Sequence, residues 1–347
     1  MDADIIKRTE EVTLNIAICV LIAVIVFISL EIILRWQLCT LPFKYECRQE
    51  RGFVPDEQLG NRVKNIAGYN SLGLRNPEIS PKENQFRVLF LGDSVVDAFD
   101  IGLLKERLKI YYPHTKIEII NAGVSGYTTK QELDFLKQYG MGINPDLVIL
   151  GFVLNDLFDY LHRPNVKGEL RGWHPYTERT WFAEDCFFGR IFYHSYFAHY
   201  IVKRINLAWQ ELKRRLGRHT YEFEIRTDFH AAWKDFMWKG EERLLTNMKN
   251  LLKTNNITLV IVCFPMKDQI DEENIKEDKP FVLKPQQKLI EICQKLEVPF
   301  LDLWSSFYER RDENYFCDYL HFTHEGNIII ADRLTGFINE QHLIENR

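Results

Sequence analysis

The sequence predicts a three-layer α/β/α domain on a parallel five-stranded sheet, preceded by an N-terminal transmembrane helix. Three observations carry that expectation. Five apolar runs of strand length recur at residues 88–91, 117–120, 147–152, 258–264 and 299–303. Helical patterns fall between them, at 129–139, 242–253 and 286–296, and strands alternating with helices argue for a parallel sheet covered on both faces. The runs are continuously apolar rather than alternating, as strands buried on both sides require.

Taken in order, the chain begins with an apolar stretch. No charged residue lies between Val12 and Leu30, close to the ~20 residues needed to cross a bilayer. A cleaved signal peptide is the rival reading, weakened because Glu31-Ile32-Ile33-Leu34-Arg35 extends the stretch and no small-x-small site follows. A buried core helix is the third. Lys7 and Arg8 precede the span and Arg35, Lys44 and Arg48 follow it, so flanking charge does not decide orientation. The expected organisation is a tail and anchor over 1–35, a turn-rich juxtamembrane lead-in over 36–85, and one domain over 86–345 with an insertion at 157–239. That insertion holds 20 of the 46 aromatic residues, too many for a plain loop of its length. Within it Phe197, Ile201, Ile205, Ala208, Leu212 and Leu216 recur at helical spacing, with Lys203, Arg204, Lys213, Arg214 and Arg215 elsewhere around the helix. A helical insertion packed on the core is the favoured reading. A substrate lid and a basic amphipathic helix touching the membrane are the sharper ones. Near the end, Thr323 followed by Glu325 caps a last helix running through Ile338 and beyond.

A net charge of −5 supplies no basic field for nucleic acid. The seven cysteines are irregularly spaced with no Cys-x-x-Cys pair, which argues against a disulfide framework and against zinc. Neither a metal nor a cofactor is expected, and the sequence names no protein partner. Cys263 and Cys293 sit in apolar contexts and read as core, while Cys39 with Cys47 either closes a small loop or stays free.

Two short elements carry chemistry. The first apolar run, from Phe86 to Leu91, leads into Gly92-Asp93-Ser94, and Asp318-Tyr319-Leu320-His321 stands near the other end of the chain. A serine hydroxyl is a poor nucleophile unless a base takes its proton and a third group orients that base. Ser94, Gly126 and Asn155 each follow a predicted strand, and open α/β sheets bind ligands at the carboxyl ends of their strands, so the three are expected to converge. Taken singly each has a plainer reading: Ser94 as a helix cap, Gly126 as a turn glycine, Asn155 as the cap of a helix starting at Asp156. Asp93 is expected only to fix its turn. His324 serves as an internal comparison, expected at the surface.

Together these residues resemble the SGNH (GDSL-type) serine hydrolases, whose short blocks occur here in the family's order. They are Gly92-Asp93-Ser94, then Asn121-Ala122-Gly123-Val124-Ser125-Gly126-Tyr127, then Gly151-Phe152-Val153-Leu154-Asn155-Asp156, then Asp318-x-x-His321. The stretch Asn70-Ser71-Leu72-Gly73-Leu74-Arg75 looks like the lead-in of membrane-anchored bacterial members, and the resemblance covers roughly 52–155 and 256–345. Two departures stand out: Val153 takes a position usually held by glycine, and Val95-Val96-Asp97-Ala98-Phe99 follows Ser94 where small residues are common. The resemblance implies a flavodoxin-like sheet, Ser94 as nucleophile, His321 as general base and Asp318 as its orienting carboxylate. It implies an oxyanion hole from the N–H groups of Ser94 and Gly126 and the Asn155 amide.

The activity so implied is a serine esterase working through an acyl-serine on O-acyl groups of an envelope glycan or related substrate. An O-acyltransferase using the same site is one alternative, and a non-catalytic envelope scaffold or polysaccharide-binding protein another. The resemblance also places a single-pass protein with its catalytic domain outside the cytoplasm, periplasmic or at the cell surface. Trp173 and Trp181, in the insertion, are candidate platforms for sugar rings or acyl chains. A phospho-acceptor receiver domain shares the strand order, but Asp93 lacks acidic sequence neighbours to hold a cation. Dinucleotide binding fails for want of Gly-x-Gly-x-x-Gly after a strand.

Overall fold

In the computed structural model, which describes residues 3–40, 53–56, 59–63, 67–157, 195, 197, 201, 204, 205, 208, 212 and 230–344, every predicted apolar run forms a strand. A small antiparallel hairpin, β1 (Phe53–Asp56) and β2 (Gly60–Val63), precedes them within the stretch expected to be only turn-rich. The main strands are β3 (Phe86–Gly92), β4 (Ile117–Gly123), β5 (Leu147–Phe152), β6 (Thr258–Cys263) and β7 (Phe300–Asp302). They form one parallel sheet in the order β4-β3-β5-β6-β7. β3 and β5 are buried at every position, which is why their sequences are apolar without alternation.

Helices cover the sheet. In chain order they are α1 (Ala3–Thr40), α2 (Ser94–Ala98), α3 (Ile101–Tyr111), α4 (Thr129–Gln138), α5 (Asp235–Thr254) and α6 (Lys267–Ile270), then α7 (Glu272–Val282), α8 (Lys284–Leu296), α9 (Trp304–Tyr308) and α10 (His324–Glu340). The Thr323 hydroxyl accepts the Gly326 N–H at the start of α10, the cap expected from the sequence. α5 begins seven residues earlier than its apolar periodicity suggested, and Trp233, Met237 and Trp238 are core residues. The last part of the expected insertion therefore belongs to the hydrolase-like body. α2, α3, α6 and α7 had no counterpart in the apolar pattern, because short or highly charged helices give little periodicity.

The chain divides into two compact units, one formed by Met1–Cys47 with Gly172–Arg218 and the other by Arg48–Arg171 with His219–Arg347. The first contains α1, whose segment Glu11–Ile33 is long and apolar enough to cross a membrane and is unburied. The second contains the sheet. Trp173, Trp181, Cys47 and Cys186 lie outside the described residues. Cys263 and Cys293 are buried in the core as expected.

The ends of the three adjacent strands β4, β3 and β5 are unusually close to α2. A Cβ on Gly92 would lie 2.2 Å from the Val96 side chain, and one on Gly151 would lie 2.5 Å from it. On Gly123 it would lie 2.2 Å from the Asp97 backbone nitrogen and 2.6 Å from the Val96 carbonyl carbon. Side chains can yield, whereas backbone in a short buried helix cannot without moving the helix. Gly123→Ala should therefore destabilise the protein by roughly 2–3 kcal/mol through overpacking. Gly142→Ala, where a Cβ meets open space, should stay within about 0.5 kcal/mol of wild type. Denaturant unfolding of the detergent-solubilised chain compares them, and equal midpoints for the two variants would refute the close-approach account.

Candidate active site

The turn after β3 places Ser94 at the first position of α2. Asp93 caps that helix, its Oδ1 accepting the Val95 N–H at 2.8 Å. Capping by Asp is common where a strand turns directly into a helix. Its other carboxylate oxygen accepts from Asn155 Nδ2 at 3.0 Å. Asp93, expected only to fix a turn, thus joins the first block to the third. Asn155 sits in a short 3-10 turn, Leu154–Leu157, that ends β5. That turn is held by Asp156, whose Oδ2 accepts the Val153 N–H at 2.8 Å. Val153 stands where glycine is usual, and this backbone bond leaves its side chain buried without distorting the turn.

The histidine arrives on a loop built locally. Asp318 Oδ1 accepts the backbone N–H of Leu320 at 2.7 Å and of His321 at 2.8 Å, closing a tight turn around the carboxylate. Phe322, the next residue, packs against Phe264, Phe307 and Phe316 and pins the loop to the core. His321 Nδ1 lies 2.8 Å from Asp318 Oδ2, and His321 Nε2 lies 2.9 Å from Ser94 Oγ. With Nδ1 facing a carboxylate it carries the proton, which leaves Nε2 free to accept from the serine hydroxyl. Partial burial works to raise the Asp318 pKa, but the N–H groups of His321 and Leu320 and the His321 ring outweigh it and hold the carboxyl below its ordinary value. His324, by contrast, is exposed on the first turn of α10. A nucleophile, a base and an orienting carboxylate in this sequence of contacts can activate a hydroxyl for acyl transfer.

The second block forms the loop after β4. Gly126 has φ +80, a left-handed backbone for which glycine is suited. One residue earlier, the Ser125 hydroxyl reaches Asp97 Oδ2 at 3.4 Å. Asp97 lies on α2, three residues past Ser94, so the loop is tied to the helix that carries the serine. Tyr69 donates its hydroxyl to both Asp97 carboxylate oxygens, at 3.0 and 3.1 Å, and Arg75 donates to the Asp97 carbonyl at 3.2 Å. Asn76 and Asn121 exchange hydrogen bonds through the Asn121 backbone at 2.6 and 3.1 Å. The lead-in stretch thus braces the first and second blocks. Sequence reasoning left Tyr69, Arg75, Asn76 and Asp97 without roles, and their signal was only that they sit beside recognised motifs.

Beneath these loops lies a set of buried acids. Burial, and then the charge of Asp93 and Glu241, pushes the Glu132 pKa well up. Burial and the charges of Glu132, Asp93 and Glu241 do the same to Asp156, against the opposing Val153 hydrogen bond. Asp93 is also raised, by burial, against the bonds from Asn155 and Val95. Both Glu132 carboxylate oxygens are buried without a hydrogen-bond partner. Among the described residues, no three His, Cys, Asp or Glu side chains are grouped so as to hold a metal ion.

Comparison with known proteins follows the geometry. A sequence profile described as the GDSL-like Lipase/Acylhydrolase family matches residues 90–328. No curated protein matches the chain. Among solved structures, a catalytic mutant of Axe2, an acetylxylan esterase from Geobacillus stearothermophilus, is 16% identical, with a TM-score of 0.44, over 73% of this chain and 93% of that one. LAE5, an alpha/beta hydrolase enzyme from the metagenome of Lake Arreo, Spain, is 13% identical, with a TM-score of 0.42, over 73% of this chain and 94% of that one.

The buried acids set a pH dependence. An acid whose pKa rises on folding holds its proton more tightly when folded, so stability falls as pH climbs from the ordinary carboxylate value toward the raised one. Glu132→Gln removes that titration and loses no hydrogen bond. Its stability relative to wild type should increase as pH rises above the ordinary carboxylate range, by up to about 1.4 kcal/mol per pH unit. Unfolding measured over that rise in pH checks it, and a constant difference would mean Glu132 titrates alike in both states.

Proposed function

This chain belongs to the GDSL-like lipase/acylhydrolase family and is an ester hydrolase of SGNH type, and we propose that Ser94, His321 and Asp318 carry its reaction. The observation that supports this most directly is the run of contacts Asp318 Oδ2–His321 Nδ1 and His321 Nε2–Ser94 Oγ, at 2.8 and 2.9 Å. As Ser94 Oγ attacks the acyl carbonyl carbon, its proton passes to His321 Nε2, and Asp318 steadies the imidazolium. The carbonyl oxygen becomes an oxyanion, received by the N–H groups of Ser94 and Gly126 and by Asn155. One Asn155 amide hydrogen is taken by Asp93, which fixes the amide plane and leaves the second hydrogen for the oxyanion. Collapse expels the alcohol, protonated by His321, and leaves an acyl-serine. Water activated by the same base then releases the acid.

The substrate we propose is an O-acylated envelope glycan or a related ester. Its support is compositional: the aromatic-rich stretch 157–239, with Trp173 and Trp181, follows Asn155 directly in the chain and offers flat apolar faces suited to sugars. We further propose that α1 anchors the protein in a single pass, with Arg35 onward outside the cytoplasm. The unburied apolar segment Glu11–Ile33 supports the anchor, and the likeness of residues 70–75 to membrane-anchored bacterial members supports the orientation.

Ser94→Ala should lower kcat on short-chain aryl esters by about 10⁶ and abolish labelling by a fluorophosphonate. His321→Ala should do nearly the same, and His324→Ala should leave turnover unchanged. Asn155→Ala should lower kcat by roughly 10²–10³. A Ser94→Ala enzyme keeping a tenth of its activity would sink the serine mechanism. Running the ester panel with and without a polysaccharide acceptor separates hydrolysis from transfer, since transfer alone yields acylated acceptor.

For the anchor, alkaline carbonate should leave the full chain in the membrane and extract a chain starting at Arg51. Protease added to intact spheroplasts should digest the catalytic domain. Protection from that protease would reverse the orientation.

A further inference from the structure

We infer that the stretch carrying the helical residues Ile201, Ile205 and Leu212 lies on the surface of the same bilayer that α1 crosses, with those three side chains in the lipid interface and anionic headgroups as its polar partner. This inference rests on reading Glu11–Ile33 as a membrane span, but not on the catalytic assignment.

The segment is joined to the end of the span. Glu31 Oε2 accepts the Ser195 hydroxyl and the Phe197 backbone N–H, each at 2.9 Å. One turn back along α1, Phe27 meets Phe197 edge to face at 5.3 Å between ring centroids. Phe27, Leu30 and Glu31 are half-buried, while their neighbours on α1 are exposed. A removable leader would have no need of a polar latch to the body of its own unit.

Beyond that latch the segment turns an apolar face outward. Phe197, Ile201, Arg204, Ile205, Ala208 and Leu212 are all helical. At about 100° per residue, the five apolar positions among them fall within about 80° of one another, with Arg204 at the edge of that arc, about 20° beyond Phe197. Ile201, Ile205 and Leu212 are 39%, 48% and 45% exposed. Among the described residues outside α1, the other exposed large apolar side chains are Ile110 and Tyr111. Three of five such residues thus fall at helical positions of one stretch, and Ser195 and Phe197 at its start are bonded to Glu31 near the end of the apolar part of α1.

Charge names the occupant. Residues 196–218 carry Lys203, Arg204, Lys213, Arg214, Arg215 and Arg218 against Glu211 alone, six basic groups and one acidic, a local +5 in a chain of net −5. A helix with an apolar face and a basic complement binds in the plane of an anionic membrane surface. A protein partner would need an acidic apolar groove, for which nothing here argues. Anionic lipid is already beside the segment if α1 spans.

The test uses the full chain in nanodiscs of mixed phosphatidylglycerol and phosphatidylcholine. The photoreactive residue benzoylphenylalanine is placed singly at positions 22, 110, 201, 205 and 212, and lipid adducts are counted by mass spectrometry after irradiation. Positions 22, 201, 205 and 212 should form adducts at least tenfold above position 110. In phosphatidylcholine alone, the yield at 201, 205 and 212 should drop several-fold while position 22 is unchanged. No adduct at position 22 would remove the span itself. Adducts at 22 but not at 201, 205 and 212 would overturn the present inference and leave the anchor standing. So would cross-links from those three to protein, which would mark a lid or a second copy, and so would equal yields in the two lipids.

Discussion

The site depends on how closely a five-residue helix can lie on the end of a sheet. α2 rests on three strand-end glycines, with Val96 against Gly92 and Gly151 and its backbone against Gly123. Only residues without a Cβ permit that approach, and without it Ser94 would stand higher above the strand ends. The paired register of β3 with β4 and with β5 sets those glycines side by side, Gly92 opposite Gly123 and Gly151. Glycine in each of the first three blocks therefore has a common steric cause. The glycine missing at Val153 is not one of these contacts, so its replacement leaves the packing intact.

Around that contact, carboxylates serve as connectors more than as reagents. Asp93 links the serine turn to Asn155, Asp97 links the serine helix to the Gly126 loop and to Tyr69, and Asp156 closes the turn that carries Asn155. Each binds backbone or neutral donors rather than a cation. Burial raises the pKa values of all three, and the charges of Glu132, Asp93 and Glu241 raise that of Asp156 further. Asp318 is the exception: it is exposed, and the backbone N–H groups of Leu320 and His321 and the His321 ring hold its pKa below the ordinary value.

The unit that contains α1 follows a different logic. Its apolar residues are outside rather than inside, and Glu31 is the polar latch holding the insertion to α1.

The sequence determined the strands and their parallel class, because burial on both faces leaves marks on consecutive residues, and its short motifs pointed to three side chains that the fold brings together. Ser94, Asp318 and His321 were legible in that way, as was the cap at Thr323. What it could not determine were contacts between segments with no shared periodicity. Nothing in the local sequence says that Asn155 donates to Asp93, that Tyr69 reaches Asp97, or that Glu132 is buried without a partner. Hairpin β1–β2 and helices α3 and α7 were equally silent, since charged or short elements are fixed by what they pack against. Local chemistry is written residue by residue; which loops brace one another is decided only when the strand ends are brought into line.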